Sequence, residues 1–267
     1  MISFKPLSSA AHGCLVTVVL LGEGRERDAA LPAALVQNLN ALSLKSGKVE
    51  SLRAVMEGQV CTLLFGMLPK EVTYDALEEL TAEVVKHLRT LKAAQVDVLL
   101  ADDALLTMSG ALYKQLMLAD DGFDRYQTTG LAPITPDKKD DDKKEPFAPK
   151  FTLYLPESIP QAEEERKLRE AADMAMGIRA ARRLVNEPAN VMTPERLAQE
   201  ASQLAQQHGF DIEVYDEQQI QEMGLKAFWS VAKGSDTPPR FMVMRYMNNP
   251  DTDKLLALVG KGLTYDS

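Results

Sequence analysis

The chain has 267 residues, 45% hydrophobic and 26% charged, which is enough for one large buried core or two ordinary ones. A formal net charge of −9 argues against broad binding to nucleic acid or to anionic membranes, and no apolar run approaches the roughly 18 residues of a membrane span. The two cysteines, Cys14 and Cys61, lack metal-type spacing, so we expect reduced, buried thiols in a cytoplasmic protein.

Short apolar runs alternate with helical patterns over the first part of the chain. The runs predict strands at 15–21, 60–66, 96–101 and 151–155. Helices are predicted between them at 28–44, 71–94 and 103–118. The first run has the look of a short secretion signal, but no small-residue cleavage pattern follows it, so we interpret it as a buried strand. This alternation predicts an α/β domain with a mainly parallel sheet.

One segment has low complexity. Residues 135–150 read TPDKKDDDKKEPFAPK, a mixture of charges and prolines that has little apolar surface to bury. We expect a solvated loop there. Because a strand is predicted directly after it, the loop should interrupt the first domain near its end.

A long helical pattern at 161–185 separates two parts of the chain. Its alanine-rich face allows close packing against another domain or subunit. The helix should end near Pro188, because a residue that precedes proline disfavours helix. We therefore predict an N-terminal domain at 1–160, followed at 161–267 by a linking helix and a second α/β unit.

The second unit should open with a helix. Thr193 is suited to the cap position and Pro194 to the first turn, and the pattern continues to about Gly209. Strands are predicted after it at 211–216, 241–247 and 255–260. Core packing is expected for Phe228, Trp229, Met242, Met244 and Met247.

The last eight residues, GKGLTYDS at 260–267, follow the third of these predicted strands. Ligand sites in open α/β sheets gather at the carboxyl ends of strands, so this segment is a candidate site. A phosphate-binding loop would need glycine at position 255 and serine or threonine at position 262. Leu255 and Gly262 stand there, which argues against a nucleotide site.

Metal binding is the other chemistry that this segment allows. Asp266 offers a hard oxygen ligand for a divalent cation. The amine of Lys261 binds a metal only when it is neutral, and a neighbouring dication disfavours its protonated form. Lysine is nevertheless a rare ligand. From the residues alone, a solvated Lys261 and a turn-capping Asp266 remain the alternative.

Four segments of the chain resemble segments of the leucyl (cytosol) aminopeptidase family of dinuclear metallopeptidases. GKGLTYDS is similar to its GKG-hydrophobic-Thr-aromatic-Asp-Ser segment. The stretch RRLVNEPANVMTPERLAQEA resembles its interdomain segment, which carries an N-x-P-x-N-x-x-T-P pattern. The other matching stretches are MGLKAFWSVAKGSDTPPRFMVMRY before the metal site and GFDRYQT near the end of the N-terminal domain, at 223–246 and 122–128.

The resemblance is dense from about residue 165 onward, whereas 1–120 match only in general α/β character. It implies that the N-terminal domain is macro-like and that 161–267 contain the start of a second α/β domain, the metallopeptidase domain. In full length, the resemblance implies a cytoplasmic homo-hexamer that releases N-terminal amino acids from peptides with a leucine-type preference.

The resemblance also implies two divalent ions, zinc or manganese. Lys261 would ligate one ion and Asp266 would bridge both. The family's other ligands and its catalytic residues belong to segments beyond Ser267, so no catalytic residue is assigned. We therefore expect the 267 residues to be a truncated, inactive fragment.

A second hypothesis is a non-enzymatic, DNA-binding regulator that acts through the N-terminal domain, since some bacterial members of the family double as regulators. The acidic balance of the chain argues against it. So does the lack of a basic patch interleaved with aromatic residues.

Overall fold

The computed structural model describes residues 3–6, 16–23, 33–39, 42–56, 58–100, 103–119, 121, 149–155, 160–251 and 254–264. Several sequence predictions fall outside these residues: those on Cys14, Asp266, the 122–128 motif and nearly all of the low-complexity segment. The chain divides into two units, Met1–Arg179 and Ala180–Ser267.

Within the described residues, the first unit is built on a sheet of six strands in the order β1-β6-β5-β2-β4-β3. The strands are β1 (Ser3–Pro6), β2 (Val16–Gly22), β3 (Val49–Met56), β4 (Gln59–Leu68), β5 (Gln95–Leu100) and β6 (Lys150–Leu155). Every neighbouring pair is parallel except β3 and β4, which form an antiparallel hairpin. The predicted α/β fold with a mainly parallel sheet is confirmed.

Five helices accompany these strands in the described part of the chain: α1 (Ala33–Leu39), α2 (Tyr74–Leu91), α3 (Asp103–Leu106), α4 (Ser109–Ala119) and α5 (Gln161–Asn186). The helix predicted at 28–44 was too long, because 42–45 are not helical. The helix predicted at 103–118 is interrupted at 107–108, between α3 and α4. No helix among the described residues is long and apolar enough to cross a lipid bilayer.

Both faces of the sheet are buried, because successive side chains of a strand point to opposite faces. Val18 and Leu20 of β2 belong to the cluster that packs under α2, α4 and α5. Val19 and Leu21 belong to the cluster that packs under α1. Burial on both sides explains why the central strands are continuous apolar runs in the sequence.

Helix α2 turns one apolar face toward the sheet. Leu77, Leu80, Val84 and Leu88 are all buried in the cluster between helices and sheet. The helix begins after Thr73, whose hydroxyl accepts a hydrogen bond from the backbone N–H of Ala76 at 3.2 Å. Each fully buried leucine contributes about 2 kcal/mol of hydrophobic stabilisation, so this face fixes α2 on the sheet.

In the second unit, helix α6 (Pro194–His208) follows the end of α5, and it begins at the predicted position. Thr193 caps it by accepting from the N–H of Arg196 at 3.2 Å, and Gly209 ends it with a left-handed φ of 69°. The next elements along the chain are strand β7 (Asp211–Tyr215), helices α7 (Glu217–Glu222) and α8 (Lys226–Ala232), and strand β8 (Phe241–Arg245). Strands β7 and β8 pair antiparallel.

The strand predicted at 255–260 is wrong: residues 254–263 have no regular secondary structure. An apolar run becomes a strand only when a neighbour satisfies its backbone hydrogen bonds. In the described part of this unit, the one pairing is that of β7 with β8.

The expectation of a buried core at Phe228, Trp229 and the three methionines is wrong, because none of these five side chains is fully buried and Phe228 is 38% exposed. Phe241 contacts both Tyr215 and Phe228, with ring centroids 5.9 Å and 6.0 Å apart. Met244 and Met247 are exposed instead, the second of them at 61%. A two-stranded sheet has too little surface to bury every apolar side chain that it carries.

Candidate metal centre

The predicted metal ligands follow an exposed apolar segment. Leu255 is 73% exposed and Val259 is 99% exposed. Lys261 comes two residues later, and its side chain is exposed as well. Asp266 lies outside the described residues. The assignment of these two side chains to one metal site stays a prediction.

The two glycines that flank Lys261 differ in their surroundings. Among the described residues, nothing lies within 4 Å of the position that a Cβ would occupy at Gly260. At Gly262 the same position is 3.9 Å from the Cδ2 of Leu197, which places this part of the segment beside α6. Neither glycine has a positive φ. The backbone around Lys261 is therefore close to α6 on one side and has open space on the other.

The lysine nitrogen and the aspartate oxygen are donor types that can bind a divalent ion, but two donors are too few to complete its coordination. A neutral lysine nitrogen and a carboxylate oxygen are both ligands that zinc and manganese accept. Zinc takes four ligands in most protein sites, so two side chains leave its coordination incomplete. Within the described part of the chain, no group of three or more histidine, cysteine, aspartate or glutamate side chains is arranged to hold a metal. Further ligands are needed beside Lys261 and Asp266.

The segment that precedes α6 has a structural role. The carbonyl of Pro188 accepts hydrogen bonds from the N–H groups of Val191 and Met192, at 2.8 and 2.9 Å. This turn leads directly into the cap formed by Thr193. The N-x-P-x-N-x-x-T-P pattern thus closes one turn and starts one helix, and that helix lies beside the glycine that follows Lys261.

An ion pair connects α6 to the segment that enters β8. The guanidinium of Arg240 contacts the carboxylate of Glu195, in the first turn of α6. The same guanidinium donates to the carbonyl of Pro239 at 2.9 Å. Glu195 also lies in the first turn of α6, at the positive end of the helix dipole. Its carboxylate is therefore stabilised both by Arg240 and by the helix dipole.

A polar cluster on the β7–β8 hairpin was not predicted. Glu213 accepts hydrogen bonds from the hydroxyl of Tyr215 and from the guanidinium of Arg245. These bonds lower the pKa of the Glu213 carboxyl, with the Tyr215 bond contributing most. The same carboxylate raises the pKa of Tyr215 and of Arg245. Glu213 and Tyr215 lie two residues apart on one face of β7, and the pairing of Asp211 with Arg245 brings the guanidinium beside them. The sequence does not signal this pairing.

The second unit also has an open cavity on α7, with a volume of about 590 Å³. It is lined by Asp216, Glu217, Gln218, Gln221, Glu222, Pro238 and Arg240. Asp216 is already engaged as the helix cap, since it accepts from the N–H of Gln219 at 2.9 Å. Among the described residues, its lining does not include Lys261.

Comparison with known proteins decides the family. The family model "Cytosol aminopeptidase family, catalytic domain" matches residues 179–267. A probable cytosol aminopeptidase of Aquifex aeolicus is 34% identical, over 88% of this chain and 45% of its own. Another, from Clostridium perfringens, is 32% identical over 95% of this chain and 52% of its own. The chain belongs to the cytosol aminopeptidase family. It spans about half the length of the curated relatives that it matches.

Solved structures agree on the fold. A tomato leucine aminopeptidase mutant superposes with a TM-score of 0.71 at 20% identity, over 90% of this chain and 49% of that one. The bottromycin maturation enzyme BotP gives 0.65 at 22% identity, over 88% and 46%. The family match begins at residue 179, one residue before the start of the second unit.

Proposed function

We propose that the chain is the N-terminal part of a metal-dependent aminopeptidase that releases N-terminal amino acids, with a leucine-type preference, from peptides. The observation that carries this proposal is the match of residues 179–267 to the catalytic domain of the family. The relatives from Aquifex aeolicus and Clostridium perfringens, which span nearly the whole of this chain, are both named as probable cytosol aminopeptidases.

Within that function, Lys261 and Asp266 would hold two divalent ions, zinc or manganese. A structural relative, BotP, was solved in complex with manganese, which supports a divalent metal. Bound divalent ions would polarise the carbonyl of the scissile peptide bond. This chain would contribute the amine of Lys261 in its neutral form and the carboxylate of Asp266. The proximity of α6 to Gly262 gives the segment one fixed point.

The whole protein would be a cytoplasmic homo-hexamer, with a macro-like N-terminal domain at 1–160 and the catalytic domain beginning within 161–267. The 267 residues by themselves would be inactive, because two ligands cannot fix two ions. The two relatives above are named as probable cytosol aminopeptidases, which gives the DNA-binding alternative no support.

The test joins this chain to the second half of the Aquifex aeolicus relative. The chimera should release 4-nitroaniline from leucine 4-nitroanilide when zinc or manganese is added, and the 267-residue chain alone should not. Lys261→Met and Asp266→Asn should each abolish the metal-dependent rate in the chimera. Lys233→Met, at an exposed lysine of the same unit, should leave that rate intact. A folded chimera that keeps its full turnover with the Lys261→Met substitution would refute the ligand assignment.

A further inference from the structure

One apolar segment of the second unit, residues 255–259, is almost fully exposed. The exposed fractions of Leu255, Leu256, Leu258 and Val259 are 73%, 87%, 88% and 99%. No charged residue interrupts the segment, because the flanking lysines stand at positions 254 and 261. Folded domains rarely expose a continuous apolar surface, and such a surface marks a site of contact with another polypeptide or a ligand.

The order of the side chains indicates the kind of contact that the segment makes. In an extended chain, successive side chains point to opposite faces, so Leu255 and Val259 would share one face and Leu256 and Leu258 the other. A strand with apolar side chains on both faces belongs in a sheet that is covered by a layer on each side. Its backbone also needs a neighbouring strand as hydrogen-bond partner. The segment therefore fits a partner that supplies both a strand and apolar layers.

The described part of the second unit does not supply these surfaces. Residues 255–259 pair with no strand there, and the sheet of this unit consists of β7 and β8. The two large hydrophobic clusters described above are formed by residues of the first unit. In the second unit, apart from Pro239, the buried apolar side chains among the described residues are those of Met192, Ala198, Ala205 and Ile220. So small a core cannot cover two faces of a further strand.

The curated relatives contain a stretch of chain that has no counterpart here. The chain spans 45% and 52% of the two relatives from Aquifex aeolicus and Clostridium perfringens. The exposed segment lies within residues 179–267, which match the catalytic domain of the family. We propose that residues 255–259 are a docking strand for the second half of that catalytic domain, and that this half binds them even as a separate polypeptide. This inference rests on the proposed function.

A second copy of this chain is the weaker occupant. It would bring an identical segment to the contact, and this segment supplies one strand edge. It would bring the same small core, so both faces of the segment would stay uncovered. The unmatched half of the relatives is about as long as this chain, which is enough for several further strands and helices.

Co-production of two polypeptides tests the docking. The 267-residue chain, produced together with a tagged second half of the Aquifex aeolicus relative, should be purified as a one-to-one complex. Leu258→Asp should lower the yield of the complex at least about tenfold, because a charge would be buried in place of a leucine. Tyr74→Asp, at an exposed side chain of the first unit, should leave the yield unchanged. Absence of a complex, or an equal effect of the two substitutions, overturns the proposal.

Amide hydrogen exchange separates this partner from the other occupants. In the isolated chain, the amides of 255–259 should exchange at the unprotected rate. In the complex they should exchange at least about a hundredfold more slowly. Protection that is already present in the isolated chain would show that the segment pairs within the chain or with a second copy, and it would overturn the proposal.

The same samples keep the docking and the proposed function apart. A complex that forms but does not hydrolyse leucine 4-nitroanilide with added zinc or manganese would support the docking strand and contradict the aminopeptidase function. An active covalent chimera, together with separate halves that do not associate, would overturn the docking strand and leave the function standing.

Discussion

Replacing Thr193 with alanine tests whether the family pattern before α6 is structural. The Thr193 hydroxyl oxygen accepts the N–H of Arg196 at 3.2 Å, and no other group of the cap residue can replace it. The bond is exposed, so water partly compensates its loss. The expected cost is therefore about 1 kcal/mol, in the middle of the range for such caps.

Trp229 is the only tryptophan of the chain and lies in the second unit, so its fluorescence follows the unfolding of that unit in urea. A small unit loses about 1 kcal/mol of stability per molar urea. Thr193→Ala should thus lower the urea midpoint by about 1 M. Thr193→Ser keeps the acceptor and should stay close to the unmodified chain. An unchanged midpoint with alanine, or an equal loss with serine, would refute the capping role.

Three further outcomes are expected. Gly66→Ala would place a Cβ 2.8 Å from a leucine methyl of β2, so we expect it to destabilise the first unit by about 1–3 kcal/mol in thermal unfolding followed by circular dichroism. Gly177→Ala meets nothing within 4 Å and lies inside α5, so it should raise stability by about 0.5–1 kcal/mol and serves as the matched control. On the hairpin, hydrogen bonds from Tyr215 and Arg245 lower the pKa of Glu213 below its ordinary 4.5, so the ionised carboxylate stabilises the fold above that value. This stabilisation is lost as the pH falls through the folded-state pKa of Glu213. The urea midpoint, followed by Trp229 fluorescence, should therefore become the same for the unmodified chain and for Glu213→Gln at low pH. A difference between the two that grew on acidification would contradict the stabilising role of the ionised Glu213.

The sequence predicted the centre of the first unit well, for a physical reason. Strands β2, β4 and β5 are buried on both faces, and such strands are continuous apolar runs that a pattern can find. Strand β3 was missed because half of its side chains are exposed, which leaves no apolar run. It is defined instead by its pairing with β4 across a turn where Gly58 has a φ of 82°.

The candidate metal site, in contrast, could not be predicted from its own residues. The residues of 260–267 alone left metal binding and a solvated lysine open, and the resemblance to a family chose between them. The local pattern does not show that Arg245 reaches Glu213, because this contact depends on how β7 pairs with β8. Pairing register and helix contacts are tertiary properties, and periodicity carries no direct information on them.

The wrong strand prediction at 255–260 bears directly on the proposed metal site. A lysine amine can be aimed at an ion only if the backbone that carries it is held, and Lys261 directly follows a segment whose residue Val259 is 99% exposed. Gly262, beside Leu197, supplies a contact on one side only. In the described part of the chain, 255–259 pair with no strand, so the backbone that leads into Lys261 is not held on that side. The metal affinity of Lys261 should therefore depend on whatever buries that apolar segment, as well as on the remaining ligands.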